Sequence, residues 1–152
     1  MTMTKGFYQY GNDPEEVMLS VKLDTEGNVD SYCFLYGLCT IFASELHREF
    51  GYPIYMLYSA DDEPVLDSLI HVFCQVEDSA GTRHFIDARG ITDSEDAVIN
   101  SFGDWYDAPA FKEVDPEELE RLNFADMGNC ICDFYQGCAK ELINRFMEYY
   151  KM

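Results

Sequence analysis

Three side chains carry groups that can act together on a carbonyl: the thiol of Cys39, the imidazole of His71 and the carboxylate of Asp87. A deprotonated thiol is a nucleophile, and an imidazole can take and return its proton. A carboxylate that accepts from one ring nitrogen fixes the tautomer and stabilises the imidazolium. His71 and Asp87 fall in one stretch, DSLIHVFCQVEDSAGTRHFIDARG, residues 67 to 90. A bare His and Asp pair is more often a chance neighbour than half of a site, so the folding of that stretch decides whether they meet.

LIHVFCQVE is rich in branched and aromatic residues and reads as a strand. Alternation puts Ile70, Val72, Cys74 and Val76 on one face and His71, Phe73 and Gln75 on the other, so His71 is expected to face away from the most apolar stripe. RHFIDA reads as the next strand, with Phe85, Asp87 and Arg89 sharing a face. Ser79, Ala80 and Gly81 form a three-residue hairpin loop with Gly81 at the left-handed position, which pairs Asp78 with Thr82 and gives an even pairing total. His71 and Asp87 are then diagonal neighbours on one face. A shift of one residue on each arm, pairing Glu77 with Gly81, sets them directly opposite. Either register lets the carboxylate reach the ring.

The nucleophile must come from elsewhere. GLCTIFASELHREFGYP places Leu38, Ile41, Phe42, Leu46 and Phe50 at helical spacing and closes on Gly51 and Pro53, both stop signals. Cys39 then sits in the first turn, where the helix dipole and free amides lower a thiol pKa and can stabilise an oxyanion. The Cys39 amide is the one oxyanion donor the sequence names, because no glutamine or asparagine stands out for that role. If Ser31 capped the helix, Cys33 would hold the first turn instead. Cys39 is preferred because Phe42, Ala43 and Leu46 follow it.

The stretch GLCTIFASELHREFGYPI resembles the nucleophile helix of the transglutaminase-like branch of the papain-like cysteine hydrolases. In those families a cysteine after a small residue opens a helix that ends in a glycine-containing turn before a strand. HVFCQV and FIDARG resemble the two strand motifs that carry the histidine and the aspartate, in the order Cys39, His71, Asp87. The resemblance covers residues 36 to about 92. It implies a papain-like or transglutaminase-like architecture, with the nucleophile helix packed on a small antiparallel sheet among further helices. It also implies a cysteine protease-like or transglutaminase-like enzyme: a hydrolase, deamidase or acyl transferase working through a thioester, with no cofactor and no metal.

The remaining elements give a single α+β domain over residues 1–152. Asp13 and Pro14 start a helix that EEVMLSVKL carries toward the DTEGN turn, and IYMLYS is a strand. SEDAVINSFG and DPEELERLNF are short helices with acidic first turns. DFYQGCAKELINRFMEYY is a docked helix with Phe134, Cys138, Leu142, Phe146 and Tyr149 at helical spacing. Cys130, Cys132 and Cys138 lack the paired spacing of a zinc site and read as helix cysteines. His47 lies two turns beyond Cys39 and is expected in solvent, while His84 lies on the face opposite Asp87. Arg89 is expected to pair with nearby acids, and FGDWYDAPAF either walls a site or fills core.

Against 10 Lys and Arg stand 29 Asp and Glu, a formal net charge of -19. That balance argues against binding a phosphate backbone; its plain reading is a well-solvated surface, and its sharper one a basic protein or peptide partner or a cationic amine acceptor. The six cysteines are too sparse for a disulfide scaffold, and MTMTKGFYQYGND lacks the order of a signal peptide, so a reduced, cytoplasmic protein without membrane insertion is expected. The rival reading is a non-catalytic acidic binding protein, or nucleic-acid mimic, that inhibits a basic partner, of the kind a phage or mobile element encodes.

Overall fold

The computed structural model describes residues 3–152, which fold as α+β around a six-stranded sheet. The strands are β1 (Thr4–Gly6), β2 (Ile54–Ser59), β3 (His71–Glu77), β4 (Arg83–Asp87), β5 (Gly90–Thr92) and β6 (Pro109–Val114). Their order is β1-β5-β4-β3-β2-β6, and every pairing is antiparallel. The helices are α1 (Pro14–Met18), α2 (Cys39–Phe50), α3 (Glu95–Ile99), α4 (Pro116–Met127), α5 (Asn129–Arg145) and α6 (Met147–Tyr150).

The β3–β4 hairpin has the register expected from its loop. Val76 pairs with His84 and Cys74 with Ile86, the Asp78 amide donates to the Thr82 carbonyl at 2.9 Å, and Gly81 takes φ 84°. His71 and Asp87 are thus diagonal neighbours. A second, tighter turn follows at once. Asp87 pairs with Gly90, so Ala88 and Arg89 alone join β4 to β5. Gly90 allows this because its φ of +119° disfavours any side chain, and a Cβ there would lie 2.3 Å from the Lys5 carbonyl oxygen across β1.

Helix α2 buries residues Cys39 through Leu46 and closes on Gly51 in the left-handed conformation. It covers one face of the sheet, where the Cys74 thiol lies 3.6 Å from the Ala43 carbonyl. The opposite face holds Phe73, Phe85 and Phe111 in mutual ring contact. A 3₁₀ segment, Asn100–Trp105, lays Phe102 on the His71 ring at 4.4 Å. Both faces are therefore buried: His71 lies on the face opposite the Val72 and Cys74 stripe, as alternation suggested, and has no exposed surface because Phe102 covers it.

Three expectations need correcting. Helix α1 stops at Met18, because Val21 and Leu23 turn extended and pair back with Ser31 and Val29. Phe134 on α5 stays half exposed, so that helix docks through the expected Cys138 and Leu142 together with Ile143, and it breaks at Phe146. His47 is only partly exposed, with Nδ1 2.8 Å from the Tyr52 carbonyl. Among the described residues, no helix is long and apolar enough to cross a membrane.

Candidate active site

Asp87 ends β4 and is the hub of a buried network. His71 Nε2 lies 3.0 Å from its Oδ2, and the Tyr8 hydroxyl donates to Oδ1 at 3.0 Å. Because Arg89 closes the two-residue turn, its side chain folds back over the strand end. Its amide donates to Oδ1 at 2.9 Å and its Nη2 to Oδ2 at 2.8 Å. The guanidinium also donates to the Ala97 and Val98 carbonyls and to Ser101 Oγ, and it lies 4.8 Å from the Tyr8 ring centroid. Arg89 does pair with an acid, but in the interior at 1% exposure. Its place beside Asp87 in the sequence was the available signal. Nothing local marked Tyr8, which arrives from the other end of the chain.

These contacts fix the charge states. Burial pushes the Asp87 carboxyl up, but the Arg89 guanidinium and the bond from His71 outweigh it and hold the group well below the usual carboxylate range. Burial pushes His71 down from its ordinary value, past the opposing pull of Asp87. An ionised Asp87 only accepts, so Nε2 of a neutral His71 must carry the proton. Nδ1 is then the basic nitrogen, and it has no hydrogen-bond partner.

Cys39 opens α2 at the first helical position, with Leu38 as its cap. Its sulfur lies where the amides of Val72, Cys39 and Thr40 favour the thiolate. The Val72 amide is free for this role. Even-numbered amides of β3 point toward β4, as Asp78 does, and the β3–β4 ladder ends at Cys74 and Ile86. The next amide along that edge belongs to Val72, so the thiol sits at the opening between the two strands, against the peptide that joins His71 to Val72. Burial dominates its acidity and pushes the thiol up to about 11, with the Asp87 charge adding to the rise. The resting pair is a neutral thiol and a neutral imidazole.

The structure thus joins His71 and Asp87 directly and brings Cys39 to the first peptide of β3. Cys33 lies on a separate 3₁₀ turn, Ser31–Phe34, with its sulfur 3.8 Å from the Asp30 carboxylate. His84 binds Asp78 at 2.8 Å, away from the site. Cys132 and Cys138 are buried and Cys130 is exposed, and among the described residues no three metal-ligating side chains cluster. No protein-family model, curated protein or solved structure matches the chain.

Proposed function

We propose that the chain is a cysteine-dependent amide hydrolase, deamidase or acyl transferase of papain-like or transglutaminase-like architecture, acting on a basic protein or peptide. The observation that carries this reading is the polarity of His71: Nε2 is tied to Asp87, Nδ1 is left as an unpartnered base, and the helix-start thiol lies at the adjoining peptide. In the reaction the Cys39 proton passes to His71 Nδ1 as sulfur attacks the amide carbon. Asp87, held ionised by Arg89, stabilises the imidazolium. The tetrahedral oxyanion takes backbone amides at the start of α2. Collapse breaks the C–N bond, Nδ1 returns the proton to the leaving amine, and a thioester remains on Cys39. Water or an amine, deprotonated by Nδ1, then releases the acyl group and restores the thiol.

The activated ester p-nitrophenyl acetate tests this. The reading expects an acetyl adduct mapped to Cys39 and cleavable by hydroxylamine, present in the wild type and absent in Cys39→Ala. Acetylation that ignores Cys39 sinks it. The rival reading, an acidic inhibitor of a basic partner, draws on the exposed first turns of α3 and α4, with Glu117 and Glu118 in the second. It requires binding that survives loss of Cys39.

A further inference from the structure

A line of rings runs from His71 to solvent. Phe102 stacks on His71 and lies 5.2 Å from Tyr36, three residues before Cys39. Tyr36 in turn lies 5.2 Å from Tyr32 and 5.8 Å from Trp105. Trp105 is 55% exposed, an unusual state for so large an apolar surface. Tyr32, Tyr36 and Trp105, with Ser101 and Asp104, line an open groove of about 390 Å³. An adjoining hollow of about 270 Å³ shares Asp104 and Trp105 and adds Asp61, Asp62 and Asp107.

No Lys or Arg lines either hollow. Arg89 reaches Ser101 from the interior and is fully engaged by Asp87, Ala97, Val98 and Ser101. An anion here would meet four carboxylates. A neutral apolar group would cover the rings but leave those carboxylates uncompensated. A cation satisfies both, since its charge lies over electron-rich ring faces and opposite the aspartates. Tyr36 stands three residues before Cys39 in the chain and touches Phe102, which stacks on His71, so the groove adjoins the elements that carry the proposed site.

We propose that this groove is the subsite for a cationic side chain, lysine or arginine, of the peptide or protein substrate, held beside the reacting amide and not itself attacked. The proposal rests on the cysteine-hydrolase reading for the meaning of "substrate" but is tested independently of it. Trp105 is the only tryptophan, so its emission reports the groove directly.

The experiment titrates the inert Cys39→Ala protein with acetyl-glycyl-lysyl-glycinamide and with the same peptide carrying norleucine in place of lysine. Line broadening of the peptide resonances is read in parallel, in case emission is silent. The lysine peptide is expected to bind saturably and about tenfold more tightly than the norleucine peptide, the order expected of a half-exposed cation–π contact with carboxylates nearby. Asp104→Asn with Asp107→Asn, two exposed positions, should remove most of that preference. Equal binding of the two peptides, or no binding by either readout, overturns the proposal. Free butylamine binding as well as the lysine peptide overturns the peptide part. Lysine selectivity beside an unreactive Cys39 keeps the groove and sinks the thioester reading, whereas a reactive Cys39 without selectivity does the reverse.

Discussion

His71 Nε2 lies 3.0 Å from Asp87 Oδ2, and the other ring nitrogen of this fully buried imidazole has no hydrogen-bond partner. His84 Nδ1 is likewise unpartnered, and what sets His71 apart is its tie to the buried Asp87 and the Cys39 thiol near the Val72 amide. In the proposed reaction this Nδ1 accepts the thiol proton of Cys39.

Asp87→Asn should be strongly destabilising, because Arg89 would then keep its charge in the interior without a partner. Loss of one member of such a pair costs about 3 to 5 kcal/mol, to be read as a fall in the urea midpoint. Pairing Asp87→Asn with Arg89→Met should recover part of that loss. Two losses that simply add would show that the ion pair is not the reason Asp87 is tolerated in the core.

Stability should depend on pH in two stages. His71 is held below its ordinary value by burial, so on acidification the unfolded chain takes up a proton that the folded one refuses. Its contribution is complete above about 6.5 and is lost as pH falls through the lower folded value. Asp87 is held below the usual carboxylate range, so its contribution is complete above about 3.9 and is lost further into acid. His71→Gln should flatten the first stage of the urea-midpoint profile and keep the second. An unchanged profile would mean that His71 does not titrate with folding.

The hairpin that joins His71 to Asp87 was legible because a three-residue loop ending on a left-handed glycine sets register parity, and side chains alternate without exception along so short a strand. The start of α2 was legible from its apolar spacing and its Gly51 stop. What covers His71 was not, since a 3₁₀ segment such as Asn100–Trp105 has no period to detect. Alternation gave His71 the less apolar face, which in the fold is covered by Phe102. Strands β1 and β5 are three residues each, and β6 opens on Pro109 and carries Lys112 and Glu113 outward. None of the three displays enough pattern to announce a strand, although β1 and β6 form the two edges of the sheet.

Phe102→Ala should uncover the site. Removing a buried phenylalanine costs about 3 to 5 kcal/mol through lost burial and the cavity left behind. The variant should nonetheless let a small alkylating agent reach Cys39 faster than in the wild type, by peptide mapping under conditions where both are folded. Slower or equal modification of Cys39 would mean that Phe102 does not control access.

Cys39→Ala should abolish any acyl adduct while costing on the order of 1 kcal/mol, since it removes one small buried group. Cys33→Ala should leave the adduct in place. The opposite pattern would transfer the nucleophile to Cys33 and separate it from His71.

The most direct test is the rate at which iodoacetamide alkylates Cys39 at neutral pH in the wild type and in His71→Asn, with peptide mapping to separate Cys39 from the more exposed thiols. A thiol left to itself titrates near the value of about 11 that burial imposes, so without a base its reaction at neutral pH is slow and climbs steadily with pH. With Nδ1 accepting the proton, the wild type should react about a hundredfold faster than His71→Asn, the lower range of general-base assistance. Equal Cys39 rates in the two proteins would contradict the account, because the imidazole and the thiol would then be neighbours that do not act on each other.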